Sequence, residues 1–339
     1  MILICFNNLL NATRCKNNLY SEMDTFSPKA MKSVKKPSTW GQFAGARSPS
    51  ETQRSAVSTK AKLPKNLNFE EWLVGFTDGN GTFSFSQSGD QKWSFTYQIS
   101  QHHCNAKLLY FIKSKIGVGT VNQKAGKDMI TYRVRDSKHL VSHVLPIFDR
   151  YALRTFKYHK YAIFKEALLI FIDSTLAKEK RHEKILKLKE AYKAILESST
   201  SFVWNDITLS TLTKSIASKL ISKAWIVGFT EAKGSFYIVL KDKTKNRLTH
   251  SFEITQKNDS IVLKAISLIL SARFCKKKTY FTVIAVNLKS IELVSEYYCN
   301  SLKGSKSQEF KVWASSFRKR FRGYEYLLKT REHLRKLRK

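Results

Sequence analysis

Acidic residues are scarce in this chain. Across 339 residues, 26 Asp and Glu stand against 60 Lys and Arg, a formal net charge of +34. A surface so short of acid attracts polyanions, and nucleic acid is the expected partner. Long apolar runs are missing as well. No stretch approaches the roughly 20 residues that a membrane-crossing helix needs, which argues against membrane insertion. Cysteine is sparse: Cys5, Cys15, Cys104, Cys275 and Cys299 are odd in number and show no CxxC spacing. That excludes a disulfide framework and a structural zinc site, and it suits a reducing compartment. What is present is 42% apolar residues, enough for one large core or two modest ones.

Residues 1–60 hold nine Lys or Arg and three Asp or Glu, are rich in Ser, Asn and Thr, and lack sustained periodicity. Residues 1–65 therefore read as a basic extension, in part a mitochondrial transit peptide, and the matrix is the expected location.

The first sustained pattern is WLVGFTDGNG, from Trp72 to Gly81, and it returns as WIVGFTEAKG, from Trp225 to Gly234. Trp72, Val74, Gly75, Phe76, Thr77, Gly81 and Phe83 are answered by Trp225, Val227, Gly228, Phe229, Thr230, Gly234 and Phe236. The repeat is far longer than a solenoid period, so it reads as two similar half-domains in one chain. Both copies run apolar at helical spacing with matched glycines, which lack the Cβ that would hold two helix backbones apart. The simplest use is to pack one copy on the other.

These residues resemble the LAGLIDADG homing endonucleases and maturases in their single-chain, two-repeat form, over roughly residues 68 to 320. The resemblance implies an α+β fold: two pseudo-symmetric αββαββα halves, motif helices at the interface, and an antiparallel β saddle over nucleic acid. It also implies an acidic, metal-holding residue at the eighth position of each motif. Here those positions are Asn80 and Lys233.

The chain divides into the extension at 1–65, a first half with a trailing helix at 66–196, a linker at 197–217, a second half at 218–320 and a basic tail at 321–339. After the first motif, GTFSFSQS and KWSFTYQISQHH alternate as half-buried strands. Ser84, Ser86, Lys92, Ser94, Thr96, Gln98 and His102 fall on one face, free of acid, and Arg133 and Arg135 join them from a later strand. That composition suits phosphates and base edges. Adjacent His102 and His103 are expected on opposite faces of a strand, unable to share a metal. In the second half the outward face carries Tyr237, Lys241, Arg247, Ser251 and Lys257 with Glu253 its lone acid, and Lys276 to Lys278 sit on a turn. Residues 303–339 hold thirteen Lys or Arg against three Glu. Phe310, Trp313 and Phe317 can anchor a helix there, leaving Arg318, Arg320, Arg322 and onward through Arg338 for phosphates.

Metal-assisted hydrolysis needs anionic oxygen ligands on the cation. Asn80 offers a neutral carbonyl, and Lys233 an ammonium that repels the ion and can itself meet a phosphate. Asp78 and Glu231, two residues earlier, turn about 200° away on a helix, so a capping or structural role is expected for them. The expectation is a catalytically inactive protein, monomeric, with no metal and no cofactor. It binds structured RNA in preference to DNA, as a structural or assembly component of a ribonucleoprotein such as the mitochondrial ribosome, with ribosomal proteins as candidate neighbours. An RNA intron maturase, an active Mg²⁺-dependent DNA homing endonuclease and a DNA-binding repressor stay open beside it.

Overall fold

The computed structural model describes residues 67–123, 128–195 and 200–338. The transit-like extension lies outside the described residues. Helix α1 (Phe69–Asn80) begins where the Asn68 side chain accepts from the backbone N–H of Glu70 and Glu71, at 2.8 and 3.2 Å, satisfying two orphan donors. Every residue from Trp72 to Gly79 is buried, so this helix is core on all sides. The chain runs straight on into β1 (Gly81–Gly89) and β2 (Lys92–His102), then α2 (Ala106–Ile116), β3 (Thr120–Gln123) and β4 (Met129–Val134). Helical segments Ser137–His139, Leu140–Val144 and α3 (Leu145–Arg150) follow end to end. The four strands form an antiparallel sheet in the order β1-β2-β4-β3.

Helices α4 (Lys157–Ile172) and α5 (Lys178–Ala194) trail the first half, and from residue 200 onward the connection carries short helical segments. Trp204, Leu212 and Ile221 are buried along it, and α6 (Lys214–Leu220) packs on the second half. That half repeats the plan: α7 (Lys223–Lys233), β5 (Gly234–Asp242), β6 (Arg247–Gln256), α8 (Ser260–Ile269), β7 (Arg273–Lys276), β8 (Phe281–Ala285) and α9 (Leu288–Tyr297), with sheet order β5-β6-β8-β7. Helices α10 (Ser305–Arg318) and α11 (Tyr324–Lys336) trail it.

The two motif helices cross at their glycines. A Cβ built on Gly75 would lie 2.0 Å from the carbonyl oxygen of Trp225, and one on Gly228 would lie 1.9 Å from that of Trp72. Only glycine permits so close an approach, and it occurs reciprocally. One aromatic cage organises each half. Phe83 sits against Tyr97, Phe148, Tyr161 and Phe164, with ring centroids 4.9 to 5.4 Å away, and Phe236 sits against Phe252, Tyr298, Phe310 and Trp313 at 5.0 to 5.7 Å. Both are the third residue of the strand that leaves a motif helix, so the repeat fixes a helix crossing and a core centre together.

The trailing helices close the open edges of β1 and β5. The Lys189 ammonium and the Tyr192 hydroxyl on α5 donate to the carbonyls of Phe85 and Phe83. On the other half, Trp313 Nε1 donates to Tyr237 O at 3.1 Å and the Arg338 guanidinium to Phe236 O at 2.6 Å. Part of the basic tail is therefore docked on the body through Arg338, while Arg322, Arg335 and Lys336 stay exposed. Leu327 and Leu334 bury one side of α11, and Arg338 is held further by Glu309, 3.2 Å away. An unpaired strand edge invites another chain, and here its acceptors are taken within the molecule.

Candidate nucleic-acid interface

At the feet of α1 and α7 the two eighth-position side chains come together. Asn80 donates from Nδ2 to Ala232 O at 3.4 Å, and the Cγ of Lys233 lies 3.4 Å from where a Cβ of Gly79 would stand. Lys233 has no hydrogen-bond or ion-pair partner among the described residues, and burial lowers its pKa. A third nitrogen joins them. The Lys157 ammonium, at the start of α4, donates to Thr77 O, Gly79 O and Gly81 O at 3.0, 3.2 and 2.9 Å, filling the carbonyl-rich C-terminus of α1 with a cation. Burial brings its pKa down to about 8, and the nearby Lys233 charge pushes the same way.

The neighbouring carboxylates are committed elsewhere. Asp78 is fully buried and accepts at Oδ1 from the backbone N–H and hydroxyl of Thr155, at 3.2 and 2.5 Å, and at Oδ2 from Arg154 N–H and Trp225 Nε1, both at 2.9 Å. Glu231 accepts from the backbone N–H groups of Lys303 and Gly304, ahead of α10. Burial raises the pKa of both acids. Asp259, whose pKa burial lifts to about 7, accepts from Phe156 N–H at 2.8 Å across the half-domain boundary. The foot thus presents an ammonium and a carboxamide, with its carboxylates turned to backbone donors. This donor set does not fit a divalent cation, which prefers ionised oxygens and is repelled by ammonium.

Lys157 had a sequence signal that goes unread without the structure. LRTFK, from Leu153 to Lys157, is matched by LKGSK, from Leu302 to Lys306, in the same relation to the motif acids. The two lysines differ in use, since Lys306 pairs with Glu309 at 2.9 Å instead of reaching the helix end.

The helix-free face of the first sheet carries Thr82, Ser84, Ser86, Lys92, Ser94, Thr96 and Gln98, exposed or half-buried, alternating with buried Phe83, Phe85, Trp93, Phe95 and Tyr97. Arg133 is placed across Gln98 in register, and its guanidinium donates twice to Gln98 Oε1, at 3.1 and 3.3 Å. Arg135, just past β4, is exposed. The second face is not its equal. Where the first sheet sets Thr82, Gln98 and Arg133 side by side, the second sets Ser235, Glu253 and Ile284. Tyr237 turns its hydroxyl to Glu253 Oε2 at 2.5 Å, and Ser251, expected outward and open, is buried. Lys241, Arg247, Lys257, Lys276 and Lys278 are exposed, as are Arg318 and Arg322, while Arg320 is half-buried.

The two histidines correct an expectation. β2 ends at His102 and His103 begins a 3₁₀ turn, so their rings meet at 4.4 Å instead of facing apart. With Asp128 they offer ligand atoms within 4.8 Å of one another, and His103 Nδ1 lies 4.0 Å from Asp128 Oδ1. Both side chains are exposed, and a contact of this length in water carries little energy. Cys104, Cys275 and Cys299 are free thiols, and no described helix is long and apolar enough to cross a membrane.

Comparison with known proteins agrees with this geometry. The sequence profile described as LAGLIDADG endonuclease matches residues 73–168 and 226–317, one stretch in each half. The probable intron-encoded endonuclease Cox1-I1b of Schizosaccharomyces pombe is 34% identical over 304 residues, covering 86% of this chain and 74% of its own length. The mitochondrial protein RF1 of Saccharomyces cerevisiae is 28% identical over 200 residues, and the match spans 59% of this chain but only 38% of that protein. Among solved structures, the I-SmaMI LAGLIDADG homing endonuclease bound to cleaved DNA superposes with a TM-score of 0.64 at 19% identity, over 79% of this chain and 95% of that one. At that identity the likeness is one of fold.

Proposed function

The chain belongs to the LAGLIDADG endonuclease family, and from that premise we propose that it holds nucleic acid without cutting it, as an RNA-binding protein of mitochondria. The observation that carries this reading is the foot of the two motif helices. Lys233 and Lys157 place two ammonium groups there, and the acids beside them, Asp78, Glu231 and Asp259, accept from backbone donors. A cation pair attracts a phosphate and repels Mg²⁺, so the site can hold a strand but supplies no ligand set for the metal that would activate water.

RNA is favoured over duplex DNA by the inequality of the two sheets. A palindromic B-form site offers two halves of one protein the same base edges, which suits two equivalent reading faces. The second face instead carries an acid, an isoleucine and a covered serine at the matching positions. Structured RNA has no such symmetry, and it is recognised by shape, loops and 2′-hydroxyls. The Saccharomyces cerevisiae relative, a mitochondrial protein, supports the compartment, and the basic surface suits the packed phosphates of a ribonucleoprotein such as a mitochondrial ribosome. A second reading, an active DNA endonuclease, is the one favoured by the name of the intron-encoded Schizosaccharomyces pombe relative.

Crosslinking the protein in mitochondria and sequencing the bound nucleic acid separates these ligands, and the retained RNA should resist competition by excess duplex DNA. Incubation with Mg²⁺ or Mn²⁺ and a duplex library of the host genome should yield no specific double-strand cut. One such cut would sink the reading. In the double variant Asn80→Asp, Lys233→Asp, calorimetry should detect divalent-cation binding that the natural chain lacks.

A further inference from the structure

The turn between α10 and α11 carries the most exposed large apolar side chain of the described residues. Phe321 shows 85% of its surface, against 62% for Leu288, the next in order. Single exposed apolar residues are ordinary, so exposure alone assigns nothing. Three further features single this ring out. It is built on the core: the Arg320 guanidinium lies 4.4 Å from the ring of buried Phe317 and 4.6 Å from that of Phe321, and its Nη1 donates to Phe317 O at 3.0 Å. A planar cation clamped between two phenyl rings leaves Phe321 as the outer layer of a stack, not a loose side chain.

The backbone fixes the presentation too. Residues Arg320–Arg322 form a 3₁₀ turn, closed by Arg322 N–H on Lys319 O at 3.0 Å, and the chain reverses at Gly323 with φ of 90°. That left-handed conformation is one glycine adopts without strain, so the turn is short and set. Lastly, the charge around the ring is of one sign. Arg318, Lys319, Arg320 and Arg322 surround Phe321, and no acid occurs between Glu309 and Glu325.

We propose that Phe321, backed by Arg320, is a stacking platform for an unpaired base of the bound RNA, with Arg318 and Arg322 meeting the phosphates on either side. A base has an apolar π-face inside an anionic strand, which is the chemistry this turn complements. A paired base keeps its faces covered by its neighbours and cannot lie on the ring. The proposal rests on the RNA reading above and names how one part of that RNA is gripped.

The test uses the full-length protein and three probes: an RNA hairpin whose unpaired adenine loop carries 2-aminopurine, the same sequence closed as a paired RNA duplex, and a DNA duplex of that sequence. Phe321→Ala should weaken hairpin binding about 5- to 150-fold, the range for one stacked base, and leave duplex binding and the salt slope unchanged. Phe321→Trp should retain the hairpin affinity and Phe321→Leu should not, because stacking needs a ring. Binding of the natural protein should quench the 2-aminopurine, and binding of Phe321→Ala should not. Full affinity and quenching in Phe321→Ala would overturn the platform while leaving the RNA reading intact, and full affinity in Phe321→Leu would overturn stacking in favour of a plain apolar contact. If the natural protein binds the hairpin no better than duplex DNA, the RNA reading itself fails. Since Phe321 is exposed, the melting temperature should not move in any variant, so folding does not confound the comparison.

Discussion

A methyl group on Gly75 or Gly228 would fall within about 2 Å of a carbonyl oxygen in the opposite helix, and backbone cannot yield as a flexible side chain can. Gly75→Ala and Gly228→Ala should each cost about 3 kcal/mol or more in urea unfolding, whereas Gly89→Ala, whose Cβ would meet only Lys92 at 3.7 Å, should cost about 0.5 kcal/mol or less. These glycines were legible in the sequence because the motif repeats. Lys157 was not, since its meaning lies in three carbonyls 76 to 80 residues away. It also makes a pH prediction. Folded, it releases its proton near pH 8; unfolded, near 10.5. Between those values the unfolded chain binds the extra proton, so stability attributable to Lys157 rises with pH, by about 3 kcal/mol in all. Urea midpoints at pH 8 and 10 should show that rise in the natural chain relative to Lys157→Met, and equal pH responses would refute it.

The strands were readable because their alternation is strict, and the aromatic face of β1 and β2 is buried as the pattern requires. α10 was readable from Phe310, Trp313 and Phe317. α11 was hidden beneath its own charge. Its core contribution is Leu327 and Leu334, one seven-residue step, and its docking rests on a guanidinium that reaches a strand carbonyl, which leaves no periodic trace. The histidines misled for a related reason, because a strand's end is set by the turn that follows it and not by the alternation before it. A chain ending at Gly323 should therefore lose more than charge. With the Phe236 carbonyl of β5 uncovered, it should unfold at lower urea and scatter light at concentrations where the full chain stays monodisperse. An unchanged urea midpoint would mean that α11 adds nothing to the body.

For the molecule as a whole, an excess of +34 makes any affinity for nucleic acid steeply dependent on salt. Replacing Arg133 and Arg135 by Ala should flatten the log–log salt dependence by about 1.4, because each phosphate of single-stranded RNA that a guanidinium neutralises adds roughly 0.7 to the slope. If the slope stays put, the first sheet face does not hold the strand. Alanine at Tyr132, buried behind them, should lower stability instead.

The contact between the two motif helices is not even-handed, and this bears on how the chain finds its own partner half. Trp225 Nε1 donates to Asp78, while Trp72 Nε1, just as deeply buried, finds no acceptor. Two copies of the first half would give each Trp72 an Asp78 from the opposite copy, an arrangement better satisfied at this spot than the natural one. The connecting segment suppresses that competitor by holding the second half at high effective concentration. Severed within the connection, the chain should sort in part into pairs of first halves, visible by native mass spectrometry as a species of twice the fragment's mass.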